Sequence, residues 1–175
     1  AMAIARANIW LRSAERVLAL LTSFTAKDFD TLFDSTRALP WEDWIPSQAV
    51  FIVNGYSRKS ILYGIPSCQR IIKKAIVARL LHAAGLSENA QLPEKSERGT
   101  VRIQFSIVDD EVTFMIDTSG DGLHKRGYRP LRHQAPIRES LAAAMIQLSR
   151  YESGSDEVLF DPFCGSGTFP IEAAL

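Results

Sequence analysis

The sequence predicts an α/β protein in which an antiparallel-containing first domain is followed by the start of a parallel-sheet domain. Three stretches carry that prediction. VRIQFSIVDDEVTFMID, residues 101–117, alternates apolar and polar side chains on both sides of an Asp-Asp pair, the pattern of a hairpin with one face on a core. CQRIIKKAIVARLLHAA, residues 68–84, repeats apolar positions at intervals of three and four, the period of an amphipathic helix. VLFDPFCGSGTFPIEAAL, residues 158–175, reads as strand, glycine-rich turn and helix in succession.

Taken in order, AMAIARANIWLRSAERVLALL at 1–21 has helical spacing, with Trp10, Ala14, Val17 and Leu21 on one face and no capping residue before it. LTSFTA at 21–26 reads as a short strand. Asp28 caps the helical pattern FDTLFDSTRAL, which Pro40 closes. AVFIVNGYS at 49–57 is a buried strand. Ser67 is the expected N-cap of the helix that Gly85 stops, and SENAQLPEKSERG at 87–99 is a polar loop. After the hairpin, DTSGDGLHKRGYRPLRHQ at 117–134 has no periodicity and marks a domain junction, and IRESLAAAMIQLSRY is a helix that starts near Pro136. The expected partition is 1–118 for the first domain, 119–134 for the junction and 135–175 for the start of the second domain.

Composition limits the function classes. The chain has 175 residues, 46% hydrophobic and 23% charged, which is ordinary for a folded globular protein. Its net charge is zero, so nucleic-acid binding has to rest on local clusters rather than a global field. The two cysteines, Cys68 and Cys164, lie far apart with no Cys/His grouping, so neither a disulfide framework nor a metal site is expected. No apolar run is long enough to span a bilayer and no signal-like segment opens the chain, so a cytoplasmic, soluble protein with no membrane partner is expected. The oligomeric state is not legible.

The glycine turn is the most informative stretch. A phosphate-cradling loop needs Lys and then Ser or Thr after its last glycine, and no lysine follows Gly167. A dinucleotide fingerprint needs a third glycine where Pro170 stands. Two glycines that permit close backbone approach, with Asp161 at the strand tip, suit S-adenosylmethionine, whose carboxylate meets turn amides and whose amine meets the acid. The alternative is a plain strand-to-helix connection.

DPFCGSGTFPIEAA resembles the cofactor motif of class I methyltransferases that modify RNA. DTSGDGLHKRGYR resembles the junction between the THUMP domain and the methyltransferase domain of the same enzymes. NIWLRSAERVLALL, the segment around FDTLF, and CQRIIKKAIVARL resemble the THUMP region and its associated ferredoxin-like segment. The resemblance implies an α+β THUMP and ferredoxin-like region followed by the first elements of a Rossmann-like domain. It also implies methyl transfer to guanine N2 in large-subunit ribosomal RNA, with transfer RNA as the alternative substrate and a non-catalytic RNA-binding module as the alternative class. By resemblance, Asp161, Pro162, Phe163, Cys164, Gly165, Ser166, Gly167 and Thr168 line the S-adenosylmethionine site, with Pro136 beside it. Cys164 is a wall residue rather than a nucleophile, since guanine N2 transfer needs no covalent intermediate. The Asn or Asp, Pro, Pro, aromatic motif of such enzymes is absent, because all eight prolines are isolated. The acid that would hold the ribose is absent too. The chain is therefore expected to be an excerpt, with catalytic residues beyond Leu175 and a further strand and helix before Ala1, and to bind cofactor weakly by itself.

Two basic clusters are candidates for RNA contact. Residues 124–138 hold five Lys or Arg and two His without an acid; Lys125, Arg126, Tyr128 and Arg129 offer phosphate contacts and one stacking ring, or else tie the two domains together through backbone carbonyls. Arg70, Lys73 and Lys74 share one helix face opposite Cys68, Ile72, Ile76 and Leu80, as an RNA contact or a solvated face. His82 is read as a surface or dipole-compensating residue, and PWEDWIP around Trp41 and Trp44 as a loop that caps a core, with base stacking as the alternative.

Overall fold

A computed structural model describes residues 2–46, 48–87, 90, 99–128, 137–154 and 156–175. The chain divides into two compact units, Leu18–Asp117 and the pair Ala1–Val17 with Thr118–Leu175. The boundary after Asp117 falls beside the expected one at 118, while the segment before Leu18 joins the second unit instead of the first.

In the first unit four strands form one mixed sheet in the order β1–β4–β3–β2, with β1 Leu18–Thr25, β2 Val50–Arg58, β3 Thr100–Val108 and β4 Glu111–Asp117. β4 runs antiparallel to both neighbours, and β2 is parallel to β3. The sheet and its helices bear out the α/β class. Alternation decides which face is covered: Phe51 and Val53 of β2, Ile103, Phe105 and Ile107 of β3, and Val112 and Phe114 of β4 are buried. The helices α2 (Phe29–Arg37) and α3 (Ile65–Ala83) supply Leu32, Cys68, Ile72 and Ile76 to the same core. Burial pushes the Cys68 thiol up from its ordinary value.

Local chemistry explains the element ends. Asp28 caps α2, its Oδ1 accepting the Thr31 N–H at 2.7 Å. α3 starts one turn earlier than Ser67, at Ile65 with Gly64 as N-cap, because Pro66 lies in the first turn where its missing N–H costs nothing. Trp41, in a single 3-10 turn at Trp41–Asp43, is fully buried; its Nε1–H donates to the Thr36 carbonyl at 2.7 Å and its ring meets Phe114 edge-on at 5.5 Å. The PWEDWIP loop thus caps the core through Trp41, and Trp44 is exposed.

The β3–β4 hairpin closes through Asp109 and Asp110, both left-handed at φ 51° and 66°, as a primed two-residue turn requires. Asp110 is held there on three sides. Its Oδ1 accepts the Ile61 N–H at 2.8 Å, its N–H donates to Ser60 Oγ at 3.0 Å, and its carbonyl accepts the Ala26 N–H at 3.0 Å. Gly55 sits opposite Phe105 in the parallel pair, where a Cβ would lie 2.2 Å from the Phe105 carbonyl oxygen.

The second unit contains α1 (Met2–Trp10), α4 (Glu139–Ser149) and α5 (Thr168–Ala174). Two sequence expectations are corrected. The apolar spacing through Trp10, Ala14, Val17 and Leu21 is not one helix: α1 ends at Trp10, and Leu18–Thr25 is a strand because it pairs with β4. Val158–Phe160 forms no ladder, because a strand requires a neighbour and none is present among the described residues of this unit; Val158 and Phe160 are accordingly exposed.

Candidate cofactor site and nucleic-acid surface

The glycine turn is assembled by Asp161 and the residues after it. Asp161 Oδ1 accepts the Phe163 N–H at 3.0 Å, and the Gly167 N–H donates to the Cys164 carbonyl at 2.7 Å. Gly165 (φ 51°) and Gly167 (φ 73°) adopt left-handed conformations that a side chain would strain, and a Cβ at either would meet no atom closer than 3.7 Å. Glycine is therefore favoured by the backbone, and the space beside it is open. Ser166 and Thr168 hydroxyls lie 3.1 Å apart, with Thr168 buried. Phe163 and Cys164 are exposed, and Pro162 stands between them and Asp161.

One atom of the turn is unsatisfied. Asp161 Oδ2 is out of solvent and accepts no hydrogen bond from the described residues. A buried carboxylate oxygen without a donor costs about 1–3 kcal/mol, a cost that a donor from outside the turn would offset. A ligand ammonium is the chemically matched group. Pro136 and Arg129 lie outside the described residues.

Behind the turn, Glu172 of α5 is fully buried. Its Oε2 accepts from the Arg12 guanidinium at 2.9 Å, its Oε1 accepts the Tyr128 hydroxyl at 2.7 Å, and Arg126 Nε stands 3.4 Å from Oε1. Arg126 also donates to the Arg12 carbonyl at 2.5 Å. Of the residues expected to meet RNA, Arg126 and Tyr128 are thus directed into the protein; the tie runs through a carboxylate more than through carbonyls. Lys125 is exposed and pairs with Asp121 at 3.5 Å.

A second acid completes this junction. Glu15 Oε1 accepts the Ser140 hydroxyl at 2.6 Å, and its Oε2 lies 3.1 Å from His124 Nδ1 and 3.4 Å from Arg138. The Ser140 hydrogen bond, helped by His124 and Arg138, holds the Glu15 carboxyl below its ordinary value. Backbone bonds run alongside: Thr118 N–H to the Val17 carbonyl at 3.0 Å and Leu123 N–H to the Glu15 carbonyl at 2.9 Å. The sequence offered one signal for this network that went unused, a single acid, Glu172, inside the apolar run TFPIEAAL. Arg12 and Glu15 carried none.

Comparison with known proteins matches residues 26–117 to the THUMP domain model. The chain belongs to the THUMP family. Following that THUMP segment, residues 126–175 match a model described as "RMKL-like, methyltransferase domain". The "Putative RNA methyltransferase YpsC" of Bacillus subtilis is 47% identical over all of this chain, which spans 44% of that protein. A "Ribosomal RNA large subunit methyltransferase K/L" of Syntrophotalea carbinolica is 35% identical over 97% of the chain, equal to 24% of its own length. Among solved structures, SMU.472, described as "a putative methyltransferase complexed with SAH", is 44% identical with a TM-score of 0.88, covering 98% of this chain and 44% of that one. The chain therefore spans less than half the length of these relatives.

Within the THUMP domain, α3 separates its two faces as the periodicity requires. Cys68, Ile72 and Ile76 are fully buried, and Arg70, Lys73 and Lys74 are exposed. Lys73 Nζ stands 5.8 Å from the Phe51 ring centre and Lys74 Nζ 5.8 Å from that of Phe33, so each ammonium rests by an aromatic face while its head stays in water. His82 is exposed at the far end of the helix. No helix among the described residues is long and apolar enough to cross a membrane, and no group of three or more His, Cys, Asp or Glu among them could hold a metal ion.

Proposed function

We propose that this chain is the RNA-binding region and the opening of the cofactor site of an S-adenosylmethionine-dependent RNA methyltransferase, which acts on a guanine N2 of large-subunit ribosomal RNA. The observation that carries this reading is the buried Asp161 Oδ2, without a donor among the described residues, beside two left-handed glycines in a segment that matches a methyltransferase model. The SAH complex of SMU.472 supports the cofactor, and the ribosomal RNA enzyme of Syntrophotalea carbinolica supports the substrate.

When bound, S-adenosylmethionine supplies a methyl group made electrophilic by its sulfonium. Asp161 would accept from the α-amino group through Oδ2, while Oδ1 stays on the Phe163 N–H and keeps the carboxylate in register. Gly165 and Gly167 would admit the ligand to the backbone, and Pro162, Phe163, Cys164, Ser166 and Thr168 would flank it. Arg70, Lys73 and Lys74 would meet RNA phosphates, with Lys125 beside the cofactor segment. A guanine amine is a poor nucleophile, because its lone pair is delocalised into the ring, so rate enhancement would come from alignment and from acceptors on the amine. A paired base has to leave its stack to reach the methyl group.

The test compares ribosomal and transfer RNA from cells with and without the gene, digested to nucleosides and analysed by mass spectrometry. Loss of N2-methylguanosine from large-subunit RNA alone is expected. Loss from transfer RNA instead would move the substrate, and no loss from either would favour a non-catalytic RNA-binding module.

A further inference from the structure

The Glu172 cluster is more than packing requires. A fully buried carboxylate carries a desolvation penalty, and an apolar side chain of similar volume usually fills such a place at no loss of stability. Glu172 instead gathers two guanidiniums and a phenol, from segments far apart in sequence: Arg12 precedes the THUMP unit, while Arg126 and Tyr128 follow it. Arg12 also donates to the Glu172 main-chain carbonyl, so backbone and side chain of the same residue are gripped together. The arginines have side-chain exposures of 26% and 19%, so most of each side chain is out of solvent and the carboxylate is the counter-charge beside it. Such a cluster fixes geometry, because each group that meets the shared carboxylate restrains the others.

What is fixed is the element that carries the glycine turn. Glu172 lies one helical turn after Thr168, on the helix that the glycine turn opens. The Gly165–Thr168 turn contains two left-handed glycines, the most pliable residues available. We propose that Glu172 is a positioning residue for the cofactor turn: through Arg12, Arg126 and Tyr128 it clamps α5 to the two segments that flank the THUMP unit, and so fixes the turn in its ligand-ready form. The proposal rests on the methyltransferase reading above, and it removes Arg126 and Tyr128 from the set that contacts RNA.

The test uses the intact protein as wild type, Glu172→Gln and Tyr128→Phe. Binding of S-adenosylhomocysteine is measured by calorimetry, RNA affinity by filter binding, and KM for each substrate by labelled methyl transfer. Gln preserves shape and removes the charge; Phe removes one hydrogen bond and leaves both arginines paired. Glu172→Gln should weaken S-adenosylhomocysteine binding and raise the cofactor KM at least about tenfold, with RNA affinity unchanged within twofold. Tyr128→Phe should shift both in the same direction by about threefold. A merely structural role would lower the active fraction and leave both KM values where they were, and that result would overturn the proposal. Should Glu172→Gln fail to fold, Tyr128→Phe decides: unchanged cofactor affinity overturns the clamp. Equal weakening of RNA binding by Tyr128→Phe would return Tyr128 to the RNA surface and also overturn it. A wild type that binds no S-adenosylhomocysteine would sink the methyltransferase reading and the clamp together, whereas variants that bind as well as a competent wild type sink the clamp alone.

Discussion

Replacing Asp161 by Asn should separate cofactor binding from folding. The carboxylate has two oxygens with different fates: Oδ1 takes the Phe163 N–H at 3.0 Å, and Oδ2 is buried without a partner among the described residues. Asn keeps the shape. Its carbonyl oxygen retains the Phe163 bond, so its NH2 must occupy the Oδ2 position and turn an acceptor into a donor. A ligand ammonium then loses a charge-assisted hydrogen bond of about 1.5–3 kcal/mol and meets N–H groups in its place, which corresponds to roughly 10- to 150-fold in Kd. Folding should respond in the opposite sense, since an amide buried there costs less than an unpaired carboxylate oxygen; the ligand-free variant should melt at the same or a slightly higher temperature. The assay is calorimetric titration of the intact protein with S-adenosylhomocysteine, paired with thermal unfolding of the ligand-free form. A Kd within threefold of wild type would refute the role of Oδ2, and a parallel loss of stability would show that Asp161 is a structural acid.

Other consequences follow from the THUMP unit. Gly55→Ala drives a Cβ to 2.2 Å from the Phe105 carbonyl and 2.5 Å from its ring, where no side-chain rotation relieves the clash with the backbone; unfolding by denaturant should show a loss of about 3 kcal/mol or more. Glu42 is paired with Arg79, whose guanidinium holds its carboxyl down from 4.5 to about 2. A depressed acid contributes stability that is present above about pH 4.5 and is lost as the pH falls towards 2. The pair is about one-third exposed, so solvent screening limits the effect to about 0.5 kcal/mol, and Glu42→Gln should flatten that part of the stability profile between those limits. Replacing Arg70, Lys73 and Lys74 together by Ala should leave folding intact and reduce the slope of log affinity for RNA against log salt by about 2 to 3; an unchanged slope would make α3 a solvated face only.

Much of the THUMP unit was legible because its signals are local. Asp28 before FDTLF, the alternation on both sides of Asp109 and Asp110, and the buried face of α3 each depend on residues within a few positions of one another. Of Leu18–Thr25, the strand at 21–25 was legible but its start at 18–20 was not: that part is imposed by β4, almost a hundred residues away, while its own apolar spacing fits a helix equally well. VLF at 158–160 failed because residue type favours a strand but cannot supply the neighbour that a ladder needs. At the site, the glycines and Asp161 were readable from spacing. The clamp was not, because Arg12, Arg126, Tyr128 and Glu172 meet only in three dimensions, and a basic stretch reads the same whether it faces phosphate or a buried acid.

The most direct test is methyl transfer itself. The intact protein, S-adenosylmethionine carrying a labelled methyl group, and unmodified ribosomal and transfer RNA are incubated together, and the RNA is digested for nucleoside mass spectrometry. Label in N2-methylguanosine of large-subunit ribosomal RNA is the predicted result. No label in either RNA, from protein that still binds RNA, would contradict the methyltransferase reading.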